Sequence, residues 1–249
     1  VLHFSDYDFT TEQEIADTIS KGKSMNKFLL YPVTARCLPM IRFVPWKSDD
    51  FILCSFEGSS LTGSTIGKAY EYDFLDNIVY SDEKIEALIQ KISTVVLLPL
   101  ESNYNLTVLR PKLKRIKELA VEYGKEILDF TEENPKLFPL CPNPEGTSIK
   151  DIKQAVVSIG GMLDASRTVE LFMAAFSALK KKKVKVSAFS SYFPSEIIGA
   201  HYIGTKKQIE SIPSEQYIKS LNSYIFTTAI QEMPDVVLID LPDGFIPYN

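Results

Sequence analysis

From Lys27 onward, short apolar runs alternate with stretches in which apolar residues recur every three or four positions. Residues 28–31 form one such run, stopped by Pro32; 51–56, 94–100 and 126–130 repeat the form. Between them, Ile85, Leu88, Ile89 and Ile92 fall on one face of a helix over 83–92. Leu109, Leu113, Ile116, Leu119, Ala120 and Tyr123 do the same over 109–123. Strands apolar throughout, joined by helices, predict a parallel sheet buried on both faces, because the crossover helices cover both sides. A second series follows: strands over 155–159, 184–189 and 235–240, with helices over 167–181 and 214–231. Leu171, Phe172, Ala175, Phe176 and Leu179 mark the inner face of the first of these helices. Lys180 to Lys183 close it, where cations suit the negative helix pole.

The interruptions suggest the organisation. Residues 1–24 are polar and acidic, with Thr10-Thr11-Glu12-Gln13-Glu14 reading as a capped helix start before a weak stripe of Ile15, Ala16 and Ile19. Met25 opens a fresh pattern, so 1–24 reads as an N-terminal extension, with a helix packed on the next domain as the other reading. Residues 131–150 carry Pro135, Pro139, Pro142 and Pro144, which block helix and remove donors; this reads as a linker. The expected domains are 25–130 and 151–249. Tyr31, Phe43 and Trp46 are expected to pack the first. Three strands make a thin sheet for the second, so it is expected to be incomplete, its missing strands coming from further residues, the first domain's sheet or a second copy in a homo-oligomer.

Composition narrows the classes. The 249 residues are 45% apolar and 24% charged, which is globular rather than disordered. The net charge of −5 gives no general pull on nucleic acid or anionic lipid. No apolar run reaches the roughly 18 residues of a membrane helix. Three cysteines without CxxC spacing argue against a disulfide framework or zinc site and favour a reducing, cytoplasmic setting. Two histidines, His3 and His201, leave little for histidine-based catalysis.

The chemistry concentrates after residue 155. The strand over 155–159 runs into Gly160-Gly161, then Met162-Leu163-Asp164-Ala165-Ser166-Arg167-Thr168 opens a helix. A strand, a glycine loop and a helix starting at a hydroxyl make a phosphate cradle. Backbone N–H groups and the helix dipole meet the anion, a cation neutralises it, and a hydroxyl holds Mg²⁺. Against G-x-x-x-x-G-K-[ST], Gly161 takes the first position and Thr168 the last. Ser166 replaces the second glycine and Arg167 the lysine, a planar fork for a point charge. Read alone, this loop is better explained as a tight strand-to-helix turn. The stretch Asp235-Val236-Val237-Leu238-Ile239-Asp240-Leu241-Pro242-Asp243-Gly244 shifts the balance. It has the form of a Walker B strand and switch loop, with Asp240 near Mg²⁺ and Gly244 at the outermost phosphate.

Other loops carry less. Residues 57–68 are rich in glycine and hydroxyls, with Gly63-x-x-x-Gly67-Lys68 one residue short of a P-loop and no clear helix after it; this reads as a flexible ligand-contact loop or a solvated one. Arg36 follows the first strand and faces the same choice. Ser190, Ser191, Glu196 and His201 follow the strand over 184–189, at the edge where ligands bind in parallel sheets.

Phe28-Leu29-Leu30-Tyr31-Pro32, the loop from Gly58 to Lys68, the segment from Gly160 to Glu170, and Ser190 to His201 with its Ile-Ile-Gly-Ala-His together resemble a bacterial family. Its members are peptide-maturation system proteins encoded beside clostridial ribosomally made natural products. The resemblance spans about residues 25–244. It implies an α/β protein with a Rossmann-like first half and a P-loop-like second half related to dethiobiotin-synthetase-like and DUF1611-like proteins. It further implies an accessory role in peptide modification, in an assembly. The family keeps a lysine where Arg167 stands, which weakens hydrolysis more than binding. The expected site is therefore Gly160, Gly161, Asp164, Ser166, Arg167 and Thr168 on the phosphates of ATP or GTP. Thr168 and Asp240 would lie at Mg²⁺, with Pro242, Gly244, Ser190, Ser191 and His201 as the facing loops. No catalytic base is evident, Asp164 being the acidic residue of the loop; any turnover would be of ATPase, GTPase or ATP-dependent ligase type. The other reading is a non-catalytic scaffold that recognises a precursor peptide or a maturation enzyme.

Overall fold

A computed structural model describes residues 27–34, 37–43, 50–70, 76–100, 106–131, 135–160 and 168–241. They fall into two compact units, each carrying one parallel sheet. The short helix α1 (Leu38–Phe43) groups with the second unit although it follows the first strand in sequence. Phe43, expected to pack the first unit, thus goes with the second, and Trp46 lies outside the described residues.

The first unit holds β1 (Phe28–Tyr31), β2 (Phe51–Ser55), α2 (Ile66–Tyr70), β3 (Val79–Ser81), α3 (Ile85–Ile89), β4 (Thr94–Leu97), α4 (Leu106–Glu122) and β5 (Glu126–Asp129). Its sheet order is β3-β2-β1-β4-β5, and every pairing is parallel. The chain starts in the middle, moves to one edge and returns to build the other half, which is the Rossmann order with its switch point between β1 and β4. Leu29, Tyr31, Cys54, Val95 and Leu97 share a core with Leu88, Ile89, Leu113, Ile116, Leu119 and Ala120 of α3 and α4. Leu30, Leu53 and Val96 alternate onto the other face and are also fully buried. The expected burial of both faces is therefore present. Pro111 lies inside α4 and removes one helical N–H; the apolar stripe holds the helix through it.

The second unit adds β6 (Ala155–Ile159), α5 (Thr168–Lys181), β7 (Val186–Ser190), β8 (His201–Tyr202), α6 (Lys206–Glu210), α7 (Ser214–Glu232) and β9 (Val236–Asp240). Its order is β6-β9-β7-β8, again parallel throughout. The two-residue β8, too short for any periodic signal, makes four described strands where three were expected. Phe189, Val237 and Ile239 point to one face, where Tyr217, Ile225 and Ala229 of α7 cover them. Alternation sends Ala188, Ser190, Leu238 and Asp240 to the other face, against which α5 packs with Phe172, Met173 and Phe176 buried.

From Phe138 to Lys150 the proline-rich stretch is bound at several points to α7, while the Pro135 carbonyl accepts from Gln208 of α6 at 2.8 Å. Phe138 enters the core and stacks on Tyr224 at 5.0 Å. Ser220 Oγ accepts from the Cys141 N–H at 2.8 Å, and Gln216 Nε2 donates to the Cys141 carbonyl at 2.9 Å. Lys219 Nζ and Asn222 Nδ2 donate to the carbonyls of Pro144 and Lys150 at 2.6 and 3.0 Å. Extended backbone rich in proline has carbonyls but few donors to pair with each other, and the polar face of α7 meets that need. Among the described residues, no helix is long and apolar enough to cross a membrane.

Candidate functional site

The carboxyl ends of β6, β9 and β7 bring several of the expected residues to one edge. Gly160 directly follows β6, and Thr168 is the first residue of α5. Gly161, Asp164, Ser166 and Arg167 lie outside the described residues, as do Pro242, Gly244 and Arg36. Asp240 ends β9, paired in register with Ile159 at the end of β6, and the Leu241 N–H donates to the Ile159 carbonyl at 2.9 Å. The aspartate therefore stands beside the strand that feeds the glycine loop. Glu170, in the first turn of α5, is paired with Arg42 of α1 at 2.9 Å.

Asp240 is fully buried. Its Oδ2 accepts hydrogen bonds from Ser190 Oγ and Ser191 Oγ, both at 3.0 Å. Its Oδ1 is buried without a hydrogen-bond partner among the described residues. Burial pushes the Asp240 carboxyl above the usual carboxylate range, while the two serine hydroxyls and the Ser191 amide pull it back. An unpaired buried polar atom is costly, and a cation at Oδ1 would relieve that cost. Magnesium fits this donor set. It takes hard oxygen ligands, and it is commonly held by one or two carboxylates completed by substrate phosphates rather than by a full protein cage. Asp240 Oδ1 and the Thr168 hydroxyl are the groups that would hold it.

His201 is placed elsewhere. Its Nε2 meets Glu232 Oε1 at 2.9 Å and its Nδ1 meets the Tyr224 hydroxyl at 3.1 Å. Its ring stacks on Phe189 at 5.0 Å, so it lies on the α7 face, opposite Asp240 and Ser190. Ser187 Oγ donates to the other oxygen of Glu232. The structure thus groups Ser190 and Ser191 with Asp240 and separates His201 from them. Sequence reasoning did not find the His201–Glu232–Tyr224 set; those positions are distant along the chain and share no motif.

The first unit has its own polar cluster at the carboxyl edge of its sheet. Asp82, nearly buried, accepts from the Tyr31 hydroxyl at 3.0 Å, the Glu57 N–H at 2.9 Å and Lys112 Nζ at 2.7 Å. The glycine-rich loop nearby is knitted to β3 rather than free. Gly63 N–H donates to the Val79 carbonyl and Val79 N–H to the Ser64 carbonyl, at 2.9 and 3.0 Å. Gly58 and Gly63 take φ of +80° and +81°, and Ile66 is fully buried at the start of α2, which contains Gly67 and Lys68. The turn after β1 opens with Pro32 and Val33, and the Val33 N–H is spent on the Cys54 carbonyl, so these residues do not offer amides to a phosphate.

No protein-family model matches the chain, and no curated protein matches it. Among solved structures it is similar to a DUF1611 family protein from Anabaena variabilis. The TM-score is 0.58 at 9% identity, over 89% of this chain and 68% of that one. At that identity the likeness shows the fold: α/β, with parallel sheets, of the DUF1611 kind. It supports the DUF1611-like part of the resemblance drawn from sequence and gives no support to membership of the peptide-maturation family.

Proposed function

We propose that the second unit binds the phosphates of ATP or GTP together with Mg²⁺ at the carboxyl edge of β6 and β9, and that the chain serves as an accessory protein in the maturation of a ribosomally made peptide. The observation that carries the nucleotide reading is Asp240, fully buried beside the end of β6 with one carboxylate oxygen unpaired among the described residues. The start of α5 offers backbone N–H groups and a positive dipole end to an anion, and Thr168 offers a hydroxyl there. Bound Mg²⁺ would offset the charge of the outer phosphates and of Asp240. The residues from Gly160 to Thr168 would orient the phosphates, and Asp240 and Thr168 would hold the cation. The site binds phosphates and metal without an assigned hydrolytic base, and the maturation role follows from the sequence resemblance.

Calorimetric titration of the full chain with ATP and GTP, with and without Mg²⁺, tests this. Metal-dependent binding at or below millimolar nucleotide is expected, with Asp240→Asn weakening it at least about tenfold. No binding of either nucleotide at millimolar concentration overturns it.

A second reading, a scaffold for a precursor peptide, draws on β6. Val156 and Val157 are 45% and 46% exposed on a strand that has a neighbour on one side only among the described residues. An extended peptide adds to such an edge by main-chain hydrogen bonds. Binding of a labelled precursor peptide that is lost in Val157→Pro and indifferent to nucleotide would favour this reading.

A further inference from the structure

We infer that Ser190 and Ser191 are positioning residues that commit one oxygen of Asp240 to the protein and so reserve the other for a divalent cation; this rests on the nucleotide reading above. The wiring has a direction. The Tyr192 N–H donates to Ser190 Oγ at 3.1 Å. With a lone pair engaged by that amide, the single Ser190 hydroxyl proton goes to Asp240 Oδ2 at 3.0 Å. Ser191 Oγ reaches the same oxygen at 3.0 Å. The two hydroxyls bond Oδ2 and the Ser191 amide also faces the carboxyl, while Oδ1 has no hydrogen-bond partner among the described residues. Turning the carboxylate out of this orientation strains both bonds at once, so the two serines hold one oxygen toward themselves and the other away.

The chemistry of the donors matters as much as their placement. A lysine or arginine in their place would neutralise the carboxylate and compete with a metal. Hydroxyls orient it and leave its charge for the incoming cation. Ser190 ends β7 and Ser191 follows it directly; β7 runs beside β9 with Phe189 opposite Ile239. One strand pairing therefore sets the whole arrangement, and the serines act through Asp240 without touching the cation.

The test uses Mn²⁺ as the probe, read as free ion by electron paramagnetic resonance during titration of the full chain with ATP present. Ser191→Ala, at a half-buried position, is expected to weaken Mn²⁺ binding about tenfold or more, with Ser191→Thr restoring it. Ser190→Ala is expected to act in the same direction. Should that buried change prevent folding, the Ser191 pair decides alone. The ratio of ATP affinity with Mn²⁺ to that without it separates positioning from general loosening, which lowers both and leaves the ratio as it was. An unchanged ratio, or Mn²⁺ affinity in Ser191→Ala equal to that of the parent chain, overturns the inference and leaves nucleotide binding standing. A parent chain that binds no Mn²⁺ with ATP overturns both.

Discussion

His201 and Glu232 meet at 2.9 Å across the α7 face of the second sheet, joining the start of β8 to the last turn of the longest described helix. The other Glu232 oxygen takes the Ser187 hydroxyl. Burial by itself would raise the Glu232 carboxyl; the bonds from His201 and Ser187, with the charges of His201 and Lys185, outweigh it and hold the group below the usual carboxylate range. A depressed carboxyl stabilises the fold above its unfolded value, and that stability is lost as pH falls through the folded value. The second unit is expected to weaken below about pH 4. Glu232→Gln should cost about 1 kcal/mol at pH 7, discounted for its partial exposure, and flatten the acid loss. Urea unfolding at pH 7 and about pH 3 measures both; an equal acid loss in the variant contradicts the assignment.

Glu196 carries the opposite sign. Burial pushes its carboxyl up to about 7, while the charge of His201 and the Tyr202 backbone pull it down. A raised carboxyl favours the fold below its unfolded value and loses that advantage as pH rises through the folded one. Glu196→Gln should stabilise the chain by about 1–3 kcal/mol at pH 8, with the gain vanishing near pH 4. Thermal melts across that range read it directly, and a gain independent of pH would count against burial as the cause.

In the first unit, Asp82 satisfies three donors from separate segments. Asp82→Ala leaves the buried Tyr31 hydroxyl and the Glu57 N–H without an acceptor and should cost about 2–4 kcal/mol. Lys112→Met leaves the carboxylate its two neutral donors and should cost less, about 1–2 kcal/mol. Hydrogen exchange of β1 and β4 amides reports the first unit alone; equal losses in the two variants would place the stabilisation in the ion pair.

Gly204 tests the packing of the proline-rich stretch. Its φ is +103°, and an added Cβ would stand 2.7 Å from Leu137 Cδ2. The leucine tip can turn aside, so the backbone supplies most of the cost. Gly204→Ala is expected to destabilise the second unit by about 1–2 kcal/mol and to expose Cys141, which lies in the same stretch, to thiol reagents. Cys141 labelling at the parent rate would separate the two features.

Much of the fold was legible because strands buried on both faces and amphipathic helices write their own periods. The helix expected over 167–181 is α5 at Thr168–Lys181, and that over 214–231 is α7 at Ser214–Glu232. The strand at 155–159 matches β6 in its bounds, but its expected burial fails: among the described residues β6 is an edge strand, exposed along most of its length. What escaped was short or long-range. The three-residue β3 and two-residue β8 have no room for a period. α1 carries no mark that it belongs with the second unit, where Arg42 finds Glu170. The prolines at 135–144 read as a linker because sequence displays their missing donors and hides the donors of α7 that compensate them.

For the candidate site the same division holds. Composition and periodicity alone determined an α/β chain with apolar parallel strands, a glycine-hydroxyl loop after one and an aspartate at the tip of another, because those properties depend on neighbours a few residues away. Only the tertiary structure decided that β9 runs between β6 and β7, that Asp240 and Ser190 share a face while His201 takes the other, and that one carboxylate oxygen is bonded and the other has no partner among the described residues. Strand order and register come from contacts between segments about eighty residues apart (Ile159 with Asp240 among them), and no local pattern encodes which partner a strand will choose.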